Sequence, residues 1–251
     1  MNNAKVIERK AFLGKKRFYE YEIPSDVELV DDWAFAKCTD LKRVKMPRAG
    51  LGRGVFEGCS ALEEIILDDC DSETVSHLLA AVAPRNDAGY LMELKEAGSR
   101  AWYDKWDSWL KRMIGSEDQE GYSGQVPCGE EDYGSSDVAA YESGRRREKA
   151  ELCLLRYIYD EGLDETFRKE LTAYISAHTA GSPAGSESWL VLLEKHHSDP
   201  HWLEAFDKAG GVTDDNIDLI LAQIPAEYAD MKAYFVNRAG DMDTIIDGLE
   251  L

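Results

Sequence analysis

The chain has 251 residues, 44% of them hydrophobic, and a formal net charge of -20 at pH 7, so it can bury a sizeable core in one or two domains. So acidic a chain lacks the basic surface that releases counterions from a phosphate backbone, which argues against nucleic acid and for a basic protein or peptide partner. No apolar run approaches a membrane span, the first ten residues hold no signal-peptide stretch, and five cysteines without framework spacing fit a reducing, cytoplasmic setting.

From the N-terminus to about residue 70 one pattern recurs three times. Phe12, Phe35 and Phe56 stand at offsets of 23 and 21 residues, with Ile7, Val30 and Leu51 upstream and Phe18, Leu41 and Leu62 downstream. A period of this length marks a solenoid, in which each unit exposes an apolar flank until its neighbour covers it. The second copy reads Trp33, Ala34, Phe35, then Cys38, Leu41, Val44, Met46 and Pro47; the third answers with Phe56, Cys59, Leu62, Ile65 and Leu67. This resembles the BspA-type leucine-rich repeat, whose units carry an Ala-Phe, a Cys three residues after the Phe and a Leu three further on. The resemblance covers about residues 5–70 and implies a fold and a binding role without naming a ligand. Members of that family are frequent among surface and secreted proteins, whereas this chain shows no signal peptide.

The first copy has Lys15 where the Cys would sit, although Ala11, Phe12, Ile23 and Pro24 keep register with Ala34, Phe35, Met46 and Pro47. A charge at a buried ladder position suits a terminal repeat that faces water. Val44 and Met46, like Ile65 and Leu67, alternate as a strand with one buried face, so each repeat is expected to supply one short parallel strand. That register sets Glu20, Arg43 and Glu64 side by side as pairs of opposite charge. Cys38 and Cys59 point inward as small hydrophobes.

After Cys70 the period changes to helical. Ser72 is placed to cap a helix through Val75, Leu78, Leu79 and Val82 that Pro84 ends. Ser99 can cap the next, on which Trp102, Trp106 and Trp109 form one stripe beside Leu110 and Met113. That stripe is either a core seam or an aromatic groove for a peptide or partner helix. Residues 116–142 contain no Lys or Arg; Glu117, Asp118, Glu120, Glu130, Glu131, Asp132, Asp137 and Glu142, with interspersed glycines, read as a mobile acidic loop centred on 116–136. The ordered spacing of a calcium loop is absent. Cys128 is expected to be the most exposed thiol, with no basic neighbour to activate it.

Arg145, Arg146 and Arg147 read as an ion-paired helix face, and the segment around Leu152, Cys153, Leu154 and Leu155, apolar nearly all round, as a central helix. Further amphipathic runs follow at Phe167–Ile175, Trp189–Leu193, Trp202–Phe206, Ile217–Leu221, Tyr228–Phe235 and Ile245–Leu249. Asp199-Pro200, Thr213 and Pro225 suit helix starts, and Gly210-Gly211 and Gly240 suit stops. An echo of Asn216–Leu221 in Asp241–Ile246 gives these stacked antiparallel helices a distant similarity to ankyrin- or HEAT-like arrays. His196, His197 and His201 fall around Pro200, which breaks the helix that metal ligation at i, i+4 would need.

No phosphate loop, dinucleotide fingerprint, nucleophile elbow or metalloprotease motif occurs. The expected architecture is α+β but mostly α: a leucine-rich-repeat module over 1–70 and a helical domain over 71–251. The expected function is a non-enzymatic interaction protein without cofactor or metal. Its candidate binding residues are Trp102, Trp106, Trp109, Glu130, Glu131 and Asp132, anchors from the helix and steering charge from the loop. The alternative is a hydrolase or other enzyme with its site in a cleft between the two parts.

Overall fold

Six short strands occupy the N-terminal segment of the computed structural model: β1 (Lys5–Ile7), β2 (Glu20–Glu22), β3 (Val27–Val30), β4 (Arg43–Met46), β5 (Gly50–Leu51) and β6 (Glu64–Leu67). The structure describes residues 5–122 and 135–249, with the backbone alone for 135–137 and 241–249. The strands form two parallel three-stranded sheets, β1-β3-β5 and β2-β4-β6. Each repeat therefore supplies two strands, not the single one expected. The missed sheet is built on the upstream positions of the repeat, since Ile7 pairs with Val30 and Val30 with Leu51. Its last strand is two residues long and flanked by glycines, so it reads locally as a turn.

In the second sheet Glu20 pairs with Arg43 and Arg43 with Glu64, as the charge pattern required. The Arg43 guanidinium holds both Glu64 oxygens at 2.9 Å and lies 3.4 Å from Glu20. Between the sheets Phe35 is fully buried, its ring 4.9 Å from Phe12 and 5.5 Å from Phe56. Cys38 Sγ donates to the Phe12 carbonyl at 3.0 Å and Cys59 Sγ to the Phe35 carbonyl at 3.1 Å, so the repeated Cys ties each unit to the one before. In the first copy of the pattern the position of the repeated Cys is taken by Lys15, which lies over the Phe18 ring at 4.3 Å.

Eight α-helices follow among the described residues: α1 (Glu73–Val82), α2 (Arg100–Gly115), α3 (Ser135–Ile158), α4 (Glu165–Ala177), α5 (Glu187–Lys195), α6 (Pro200–Lys208), α7 (Ile217–Gln223) and α8 (Ala229–Leu249). The chain divides into two compact units, residues 1–111 with 159–163 and residues 112–158 with 164–251. Strand gives way to helix near residue 70, yet the compact first unit runs on to Lys111. Ser72 caps α1 through the Val75 N–H, and α1 packs on β6 with Val75, Leu78, Leu79 and Val82 buried. Ser99 Oγ accepts the Trp102 N–H at the start of α2.

In the second unit α4, α5 and α6 all pack on α3, whose Leu152, Cys153 and Leu154 are buried. That is the central place its all-round apolarity implied. The arginine run lies on the ion-paired face: Arg146 meets Glu187 at 2.8 Å and Arg147 meets Glu194 at 2.7 Å. Asp199 caps α6 with Pro200 in the first turn, as expected. Two boundaries differ. Asn216, not Thr213, stands at the N-cap of α7, its side chain accepting the Thr213 N–H. Gly240 does not stop α8, which continues to Leu249; a helical glycine costs about 1 kcal/mol against alanine and is overruled by the helix around it. No described helix is long and apolar enough to cross a membrane.

Candidate functional site

At the third repeat the backbone ladder runs out. The N–H groups of Lys10, Phe12 and Gly14 donate to the carbonyls of Asp32, Ala34 and Ala36 in the next repeat at 2.7–3.0 Å. Those of Trp33, Phe35 and Lys37 do the same to Arg53, Val55 and Glu57, again at 2.7–3.0 Å. The equivalent N–H groups of Gly54, Phe56 and Gly58 meet no acceptor among the described residues. β5 is likewise the last strand of its sheet. Asp31 N–H reaches the Ile7 carbonyl and Gly52 N–H the Val30 carbonyl, but the Leu51 carbonyl has no such successor. An unpaired strand edge of this kind is a template for another segment.

The edge faces a cleft of about 520 Å³, with residues 49–56 as one wall and the other drawn from residues 83–94. Val55, Phe56, Ala83 and Leu94 give it an apolar floor, while Arg53 and Tyr90 are exposed at its rim. Gly52 keeps the first wall tight against the second repeat, because a Cβ there would stand 2.5 Å from the Asp32 nitrogen. The far wall is held from behind. Trp102 Nε1 donates to the Leu91 carbonyl at 2.9 Å, Trp106 Nε1 to Leu78 at 3.2 Å and Trp109 Nε1 to the Asp87 carboxylate at 3.1 Å. Arg48 grips Asp69 at 2.9 Å and reaches the Leu94 and Ala97 carbonyls.

The predicted aromatic groove is thereby corrected. Trp102, Trp106 and Trp109 are 0%, 0% and 1% exposed, so the stripe is a core seam and offers no free anchor to a partner. Its contribution is to position the wall of the cleft. Glu130, Glu131 and Asp132, with Cys128, lie outside the described residues. The described ends of the acidic segment are hydrogen-bonded, and its end from residue 135 is helical rather than loop. Lys149 Nζ donates to the Ser116 carbonyl at 2.6 Å and to Asp118 at 2.7 Å, Tyr141 O–H donates to the Glu120 carbonyl at 2.7 Å, and residues from 135 onward are helical. Burial works to raise the Asp118 carboxyl, but Lys149 and Arg146 outweigh it and hold it below the usual carboxylate range.

The histidines take separate partners: His196 stacks on Trp202 at 3.4 Å, His197 on Tyr228 at 3.7 Å, and the His201 side chain is 83% exposed. Among the described residues no group of three or more His, Cys, Asp or Glu could hold a metal ion. Burial pushes the Cys59 thiol up to about 12 and raises Cys38 and Cys153, which leaves them protonated and unreactive near neutral pH. The sequence signal for the cleft was the alternation Gly50, Gly52, Gly54, which marks close backbone approach rather than chemistry.

Residues 2–79 match the family model described as BspA type Leucine rich repeat region (6 copies). This segment, under a third of the chain, is a leucine-rich-repeat segment of the BspA type, and its match runs into α1, the helix that covers β6. No match was found among curated proteins or among solved structures.

Proposed function

We propose that the protein is a non-enzymatic interaction module of the cytoplasm, a short solenoid closed at one sheet and open at the other, which takes a protein partner at the edge of its third repeat. The observation that carries this reading is the row of unpaired N–H groups at Gly54, Phe56 and Gly58 beside a preformed cleft with an apolar floor. The leucine-rich-repeat match supports protein binding as the class of activity, and the free thiols of Cys38, Cys59, Cys70 and Cys153 suit a reducing compartment. The charge of -20 favours a partner that is basic overall, drawn in over distances at which local contacts play no part.

The test is cross-linking mass spectrometry on complexes captured from native cytosol, with association kinetics measured at two salt concentrations. The reading expects cross-links to fall on residues 5–111 and association to slow as salt rises. Partners cross-linked only to residues 112–249, or turnover of a captured small molecule, would contradict it.

A further inference from the structure

We infer that the open edge takes an extended, acid-bearing peptide segment as an added parallel strand beside β5, a step that rests on the interaction reading above. The internal ladder already shows what such a strand must look like. β3 sits against β1, with Asp31 N–H on the Ile7 carbonyl, and β5 sits against β3 in the same way. Repeats one and three carry the same charges at matching places: Arg9 and Arg53 both lie over the Trp33 ring, at 4.9 and 5.2 Å, and Glu20 and Glu64 flank Arg43. At the aligned place the second repeat carries acids, Asp31 and Asp32, and the Asp32 carboxylate accepts the Arg53 backbone N–H at 2.8 Å. The exposed edge of repeat three thus presents an arginine at the place where repeat one presents Arg9 to the acid-bearing second repeat. Arg53, exposed at the rim of the cleft, has no ion-pair partner among the described residues.

A second copy of the chain is the wrong occupant. Its first repeat has the matching backbone, but stacking it on the third would set Arg9 against Arg53, like charges directly opposed, while β6, the strand its β2 would need, is covered by α1. The cleft, at about 520 Å³ with a wall on its far side, also suits a single strand rather than a whole repeat.

The probe is an acetylated, amidated, fluorescein-labelled peptide copying residues 27–35, Val-Glu-Leu-Val-Asp-Asp-Trp-Ala-Phe, titrated with the full-length protein by fluorescence polarisation at physiological salt, where distant acidic charges are screened. Saturable binding tighter than about 1 mM is expected. N-methylation of the peptide at its Asp31 position removes the N–H that would reach the Leu51 carbonyl and should weaken binding about tenfold or more, whereas methylation at Val30, whose N–H faces away, should not. Arg53→Glu, checked for an unchanged thermal melt, should weaken it by a similar factor. Absence of saturable binding, or binding indifferent to either change, overturns the proposal. So does a full-length chain that sediments as an oligomer and that Arg53→Glu returns to monomer, since the edge would then be filled by a second copy. If the peptide fails while cross-links still map to residues 5–111, the interaction reading stands and only this site is lost.

Discussion

Lys37 holds a left-handed backbone, φ 59°, at the place where the other repeats have Gly14 and Gly58. A non-glycine residue there crowds its Cβ against the following carbonyl, at about 1–2 kcal/mol, while glycine loses more freedom on folding. The side chain is exposed, so little packing is forfeited. Lys37→Gly should therefore raise stability by about 0.5–1 kcal/mol in a urea titration, through a higher midpoint at constant slope. Phe35 lies at the opposite extreme. It is fully buried between Phe12 and Phe56, and Phe35→Ala should cost about 3–5 kcal/mol by the same measurement. Both roles follow from aligning three copies of one pattern, because a repeat position has three chances to display its rule. Trp102, Trp106 and Trp109 had no such comparison. A helical stripe of aromatics has the same spacing whether it faces a core or a partner, and only the tertiary fold decides.

At the scale of elements, the contact of α1 with β6 carries a pH dependence. His77 of α1 stacks on Tyr159 at 4.0 Å, and burial holds it below its usual 6.5 despite the nearby Glu64, Glu73 and Glu63. As pH falls below 6.5 the unfolded chain takes up a proton that folded His77 resists, so stability declines until the lower folded value is passed. Glu64 acts in the same direction further down: the hydrogen bonds from Arg43 hold its carboxyl below 4.5, and that stability is lost as pH falls through the folded value. The melting temperature should drop between about pH 7.5 and about pH 5.5, and again below about pH 4.5. His77→Phe, which keeps a stacked ring, should flatten the first fall and leave the second; an unchanged first fall would place its origin elsewhere. The ladder of Glu20, Arg43 and Glu64 was legible in the sequence because alternation and charge agree. The sheet β1-β3-β5 was not, because Gly50-Leu51 is too short to alternate and its glycines signal a turn.

For the molecule as a whole, one repeat array is covered at one sheet and bare at the other. α1 lies on β6, while β5 and the turn from Gly54 to Phe56 line the cleft. The helical half was read well where apolar periodicity was strong, as in α3, and poorly where glycine or acidic composition suggested irregular chain, as in α8 and the start of α3. Composition reports what a segment could do alone, and packing overrides it. The cleft left only the alternation Gly50, Gly52, Gly54 as its trace, because it is an uncovered edge and a sequence records residues rather than missing neighbours.

Residue-resolved amide hydrogen exchange of the free protein by NMR tests this account most directly. Phe12 and Phe35 donate into the next repeat, so their amides should be strongly protected, whereas the amide of Phe56, as buried in side chain as Phe35 but without an acceptor, should exchange far faster, together with Gly54 and Gly58. If Phe56 exchanges as slowly as Phe35 in the free protein, the edge is already closed and the binding role assigned to it is wrong.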